Sequence, residues 1–247
     1  MQYARQSNYY GGGFSQFVPP GVKWLLIINT GVFLLEFFSA LFTGVSLRWL
    51  GLVPLEVVFG LRIWELGTYL FLHGGVMHLL FNMLALWMFG SDLERDWGTR
   101  RFLRYYFLCG IGAGLTVVIA SMLFGGAAYR TIGASGAIYG ILLAYGVLYP
   151  DRTVLFFFLF PMKAKYFVMI IGGIVFLNSF QGGGNVSHVA HLGGMVFGYI
   201  FLKVRMPRAN LLGWAGERYQ RWKRERARRR FQVYMRRHGG DRGPWVQ

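Results

Sequence analysis

Ile132-Gly133-Ala134-Ser135-Gly136-Ala137-Ile138-Tyr139-Gly140-Ile141-Leu142-Leu143-Ala144-Tyr145-Gly146-Val147-Leu148-Tyr149 contains no charged residue and a single serine, set between an alanine and a glycine. Such a run approaches the roughly 20 apolar residues of helix that cross hydrocarbon. A hydroxyl held at that depth without water calls for a partner. A second apolar stretch, about Val189 to Leu202, carries His191 three residues before Gly194. A third, about Gly67 to Phe89, carries His73, His78 and Asn82. Polar groups inside hydrocarbon-length segments are expensive, and three segments share the feature.

The composition agrees with a chain built from such segments. Of its 247 residues, 55% are hydrophobic, 18% aromatic and only 15% charged. That balance excludes an ordinary soluble domain and suits a polytopic membrane protein. Six spans are expected: Val22 to Phe42, Gly67 to Phe89, Phe102 to Phe124, Ile132 to Tyr149, Tyr166 to Phe180 and Val189 to Leu202. The fold class expected is an all-α membrane protein, a six-transmembrane-helix bundle. Val154 to Phe160 is also apolar, but Pro161, Lys163 and Lys165 separate it from the fifth span. It reads as an interfacial stretch or an early turn of a tilted fifth helix. The connection from Thr43 to Leu66 is unusually aromatic, and Trp49, Phe59 and Trp64 suit the headgroup region.

Charge sets the orientation. An even number of spans leaves both termini on one side, and with that side inside, 23 of the 26 Lys and Arg fall there. The outer connections then hold only Arg48, Arg62 and Arg130. The positive-inside rule therefore makes both termini cytoplasmic. Residues 1–21 read as a short N-terminal cytoplasmic arm, 22–202 as the membrane domain and 203–247 as a basic cytoplasmic C-terminal tail. That tail carries 14 of the basic residues and is expected to rest on anionic lipid headgroups, in a plasma (inner) membrane. Lys223-Arg224-Glu225-Arg226-Ala227-Arg228-Arg229-Arg230 gives a nucleic-acid reading that a tail on a membrane bundle disfavours, so none is expected. The lone cysteine, Cys109, permits no internal disulfide and reads as small core filler.

In this orientation Ser135, His191, His73 and His78 lie at similar depth, a little below the outer surface, and are read as marking one site. Serine needs a base before it can attack a carbonyl. Gly136 and Gly140 are one helical turn apart, as are Gly194 and Gly198, so two small-residue faces permit close packing of the fourth and sixth spans. That seam would bring His191 to Ser135. None of the ten Asp and Glu follows His191 before the tail, so a Ser-His dyad is the economical arrangement. Tyr139, one turn from Ser135, is placed to orient the imidazole. Acyl transfer also needs donors for a developing oxyanion. His78 and Asn82 share a helix face and can both donate, with interhelical glue as the alternative. His73 and His188 read as surface, water-channel or loop residues. Four histidines raise the question of zinc, but no HExxH motif and no neighbouring acid complete a ligand set, so no metal and no organic cofactor are expected.

These motifs, in this order, resemble the rhomboid family of intramembrane serine proteases. Gly133-Ala134-Ser135-Gly136 with Tyr139 is similar to the family's nucleophile motif. The second span's His73-Gly74-Gly75-Val76-Met77-His78-Leu79-Leu80-Phe81-Asn82 is similar to its His and Asn pattern. Ala190-His191-Leu192-Gly193-Gly194 through Gly198 resembles its last-span motif. The resemblance covers about Val22 to Leu202 and implies a serine endopeptidase that cleaves single-span membrane proteins within the lipid bilayer near its outer surface. It implies Ser135 as nucleophile and His191 as base and acid. The Ser135 amide, His78 and Asn82 would hold the oxyanion, with Gly133 and Tyr139 in support. Two departures stand out: the Trp-Arg that the family often carries is Trp64-Glu65 here, and the acid and base pattern of the third span is present in altered form, as Leu93-Glu94-Arg95-Asp96. A noncatalytic relative and a transporter are the competing readings. Such relatives usually lack the serine or the histidine, both kept here, and no repeat symmetry or acid near the histidines supports transport.

Overall fold

The computed structural model describes residues 18–44, 46–156, 159–179 and 186–205. The expected arm lies outside them up to residue 17, and the basic tail from residue 206 onward. The described residues up to Val204 belong to one compact unit.

Each of the six stretches read as spans carries a helix. Three are long and apolar enough to cross a membrane: α1 (Pro20–Thr43), the run Val76–Trp97, and α6 (Thr99–Phe124). Shorter apolar helices are α7 (Ser135–Leu148), α8 (Ala164–Asn178) and α9 (Val186–Arg205). The connection after α1 folds into a 3-10 turn, Leu47–Leu50, and the short helices α2 (Pro54–Val58) and α3 (Glu65–Thr68).

The second segment differs from the single helix expected over 67–89. After α3 and a 3-10 turn, Tyr69–Phe71, the chain leaves helical geometry and re-enters it as α4 (Val76–Ala85). A wide turn, Leu86–Gly90, and α5 (Ser91–Trp97) complete the run. Two consecutive glycines, Gly74 and Gly75, give the helix little reason to persist here. This break puts His73 in a loop, as expected, but the surface position expected for it is corrected: it is 4% exposed.

A two-stranded antiparallel hairpin also departs from the all-α expectation. β1 (Thr153–Phe156) pairs with β2 (Phe160–Lys163) in the stretch expected to be interfacial or an early turn of the fifth helix. Proline cannot donate to a ladder or continue a helix, and Pro161 sits on a strand of a two-stranded ribbon where its missing N–H is tolerated.

Carboxylates tie the ends of the bundle. Buried Glu94 accepts the N–H groups of Gly21 and Val22, both at 2.7 Å, and the Thr99 hydroxyl at 2.6 Å. The first pair are orphan donors of the α1 N-terminus, where a negative charge also suits the helix dipole. At the other end of α1, Gly44 adopts φ +67° and stops the helix. In the connection after α1, buried Glu65 accepts Val53 N–H at 2.9 Å. Leu52 and Thr131 form an isolated antiparallel bridge beside it. The departures at Glu65 and Glu94 thus lie on buried structural carboxylates.

Candidate active site

The centre of the bundle is a glycine seam. A methyl group on Gly194 would lie 1.9 Å from the carbonyl oxygen of Gly136, so α9 and α7 touch backbone to backbone. A methyl on Gly140 would meet Cys109 Sγ at 2.5 Å, and one on Gly198 would meet Tyr105 Oη at 2.5 Å. Tyr105, fully buried, donates its hydroxyl proton to the Gly140 carbonyl at 2.6 Å. Absent side chains allow this approach, and the hydroxyl fixes its register.

Ser135 opens α7 and His191 sits in the second turn of α9. Across the seam, Ser135 Oγ and His191 Nε2 lie 2.7 Å apart. Tyr139, one turn along α7, stacks flat on the imidazole with ring centres 4.1 Å apart and planes at 10°. His188 meets His191 edge-on at 6.1 Å. The other imidazole nitrogen, His191 Nδ1, is buried and has no hydrogen-bond partner among the described residues.

The approach to Ser135 is shaped by Gly133. Its φ of +121° lies where only glycine is comfortable, and a side chain there would strike the His78 ring. His78 Nε2 and Ser135 Oγ lie 2.8 and 3.8 Å from the point where that side chain would begin. Gly74 N–H donates to His78 Nδ1 at 3.3 Å, which in the neutral ring leaves the proton on Nε2. Asn82 is one turn further along α4 and 7% exposed, and its Nδ2 has no partner among the described residues. Ser135 N–H belongs to the first turn of α7, where backbone donors have no intrahelical acceptor. His73 meets His78 edge-on at 5.2 Å, with both its ring nitrogens buried and unpartnered among the described residues.

Residues that hold this geometry escaped the sequence reading. The Tyr69 carbonyl accepts Gly133 N–H at 2.9 Å, and the Tyr69 hydroxyl donates to the Gly110 carbonyl at 2.7 Å. Leu52 and Thr131 exchange backbone hydrogen bonds at 3.0 and 2.8 Å four residues before Ser135. Their partners are distant in sequence, so no local spacing announces them. No group of three or more His, Cys, Asp or Glu able to hold a metal occurs among the described residues.

A hydroxyl hydrogen-bonded to an imidazole, beside unpaired donors and a side-chain-free Gly133, is equipped for acyl transfer. A family model for the Rhomboid domain matches residues 60–208, more than half of the chain. The chain belongs to the rhomboid family. It is an integral membrane protein. It is 36% identical over 151 residues to Rhomboid protease GluP of Bacillus subtilis, covering 61% of this chain and 28% of that protein. It is 29% identical over 187 residues to RHOMBOID-like protein 12, mitochondrial, of Arabidopsis thaliana, covering 70% and 54%. It is 30% identical over 137 residues to Rhomboid protein 1, mitochondrial, of Saccharomyces cerevisiae, covering 53% and 38%. The chain thus spans between about a quarter and just over half of the length of these rhomboid relatives.

Proposed function

We propose that this rhomboid is an intramembrane serine endopeptidase working through a Ser135-His191 dyad. The observation that carries the reading is the 2.7 Å contact between Ser135 Oγ and His191 Nε2 across a seam too tight to rearrange freely. As Ser135 Oγ attacks the scissile carbonyl carbon, its proton passes to His191 Nε2. The carbonyl oxygen becomes an oxyanion held by Ser135 N–H, His78 Nε2–H and Asn82 Nδ2. His191 then protonates the leaving amine as the C–N bond breaks, leaving an acyl-enzyme. Water, deprotonated by His191, attacks the ester and releases the acid, and the proton returns to Ser135. Gly133 keeps the opening clear, and Tyr139 holds the imidazole plane. No metal or organic cofactor takes part.

The substrates proposed are single-span membrane proteins cut near the outer surface. Six spans, with cytoplasmic termini and a site opening outward in a plasma membrane, place Ser135 where water and substrate backbone meet. Residues 1–21 form the arm, 22–202 the catalytic membrane domain and 203–247 the tail on anionic headgroups. Purified protein should cleave a single-span test substrate, and Ser135→Ala and His191→Ala should each lower turnover by about 10^4-fold or more. Full activity in Ser135→Ala would remove the nucleophile assignment.

A further inference from the structure

The connection between α7 and α8 combines two features that water and hydrocarbon each reject in turn. Val154 is buried, but Leu155, Leu159 and Phe160 are exposed by 50%, 73% and 62%. At the opposite end of the hairpin the groups are ionic. Lys165 and Lys163 bond Asp151 Oδ1 at 2.8 and 3.2 Å, and Arg152 pairs with Asp92, which also holds Arg95. The ribbon is therefore amphipathic along its length, charged at the base and apolar toward the tip. Bulky apolar groups clustered in water are a liability. Yet β1 and β2 pair only with each other among the described residues, so their outer edges bring unpaired backbone groups that hydrocarbon does not satisfy. The boundary between headgroups and acyl chains meets both demands.

Two further observations select lipid over another occupant. The exposed apolar surface continues from the hairpin along α8 through Tyr166, Met169, Ile170, Ile174 and Leu177, on a helix of a membrane protein. The same end of the bundle carries Arg95, Arg100, Arg101, Arg152, Lys163 and Lys165 beside Asp92, Glu94, Asp96 and Asp151, a band of net positive charge that suits anionic phosphate.

We propose that the β1–β2 hairpin is an interfacial anchor that seats Leu155, Leu159 and Phe160 at the headgroup boundary of a leaflet containing anionic phospholipid. Because β2 ends at Lys163, immediately before α8 begins, the depth of the hairpin sets the height of the first turn of α8. The anchor does not depend on the protease assignment.

The test uses the full chain with one introduced cysteine, Leu159→Cys or Asp151→Cys, carrying a nitroxide spin label. Native Cys109 is fully buried and stays unlabelled, which the label stoichiometry of wild type checks. Leu159 is exposed, so its replacement removes little packing, and an unchanged melting curve verifies the fold. Each variant is reconstituted in nanodiscs of phosphatidylcholine alone and of phosphatidylcholine with an equal part of phosphatidylglycerol. At Leu159, collisions with oxygen should exceed collisions with a water-soluble nickel chelate, and more so with phosphatidylglycerol. At Asp151 the order should reverse. A Leu159 label as open to nickel as that at Asp151 would overturn the anchor. Oxygen access indifferent to phosphatidylglycerol would overturn its anionic preference. Dipolar coupling between Leu159 labels would show the edge pairing with a second copy instead.

Discussion

Two regions of this bundle treat their polar groups oppositely. Around α5 and the α7–α8 connection, Glu94 binds three donors, Asp92 meets Arg95, Arg152 and Tyr145, and Asp151 holds two lysines. Near Ser135, by contrast, His191 Nδ1, Asn82 Nδ2 and both nitrogens of His73 are buried without a hydrogen-bond partner among the described residues. Buried polar groups are nearly always satisfied, and a cluster of exceptions marks a place where something else is to be bound. The first region uses its polar groups to hold helices together. The surroundings of Ser135 hold their groups in place with glycine packing and leave the bonding capacity of those four nitrogens open.

Glu94→Ala breaks the comparison hardest on the structural side. It orphans Gly21 N–H, Val22 N–H and the Thr99 hydroxyl, and should cost about 3 kcal/mol or more. Thermal unfolding in detergent reads this, and an unchanged melting curve would deny Glu94 its structural role. On the open side, Asn82→Ala should weaken transition-state binding by about 2.7–4 kcal/mol with little change in melting. A large loss of stability with normal turnover would make Asn82 interhelical glue. Tyr139 sharpens the picture at smaller scale. Tyr139→Phe keeps the ring stacked on His191 and should stay near wild type, whereas Tyr139→Ala should lose about 1 kcal/mol of catalysis. Equal loss in both would mean that the hydroxyl, not the stack, matters.

The smallest effect belongs to Asp151. Its bonds with Lys165, and then Lys163, hold its carboxyl below the usual carboxylate range. A depressed acid contributes stability above its unfolded pKa and loses it as pH falls through the folded value. Asp151→Asn should therefore lower stability slightly at neutral pH, by at most about 1 kcal/mol for so exposed a pair, read as a small drop in melting temperature. The difference should fade only below about pH 3.9, and a difference that persists in strong acid would implicate something other than charge.

Much of the site was legible because it is chemically out of place. Ser135, His191, His78 and Asn82 are polar residues within apolar runs, and the glycine spacings at 136, 140, 194 and 198 announce the seam that joins two of them. The supports were not legible, because their partners lie far along the chain. Glu94 reaches Gly21 across 73 residues, and Tyr69 reaches Gly133 through a carbonyl that every residue possesses. Hydropathy located the helices but missed the interruption before α4, since leucine and phenylalanine continue through it. It also left Val154 to Phe160 undecided, because a short unbroken apolar run carries no period to separate strand from helix.

The central claim is that the Ser135 hydroxyl is activated by the His191 imidazole. A serine-reactive phosphonate, with peptide mass mapping of wild type, Ser135→Ala and His191→Ala proteins, tests it without knowing the substrate. The account predicts a single adduct on Ser135 in wild type and none in either variant at matched stability. An adduct on another residue, or undiminished labelling of Ser135 when His191 is alanine, would contradict it.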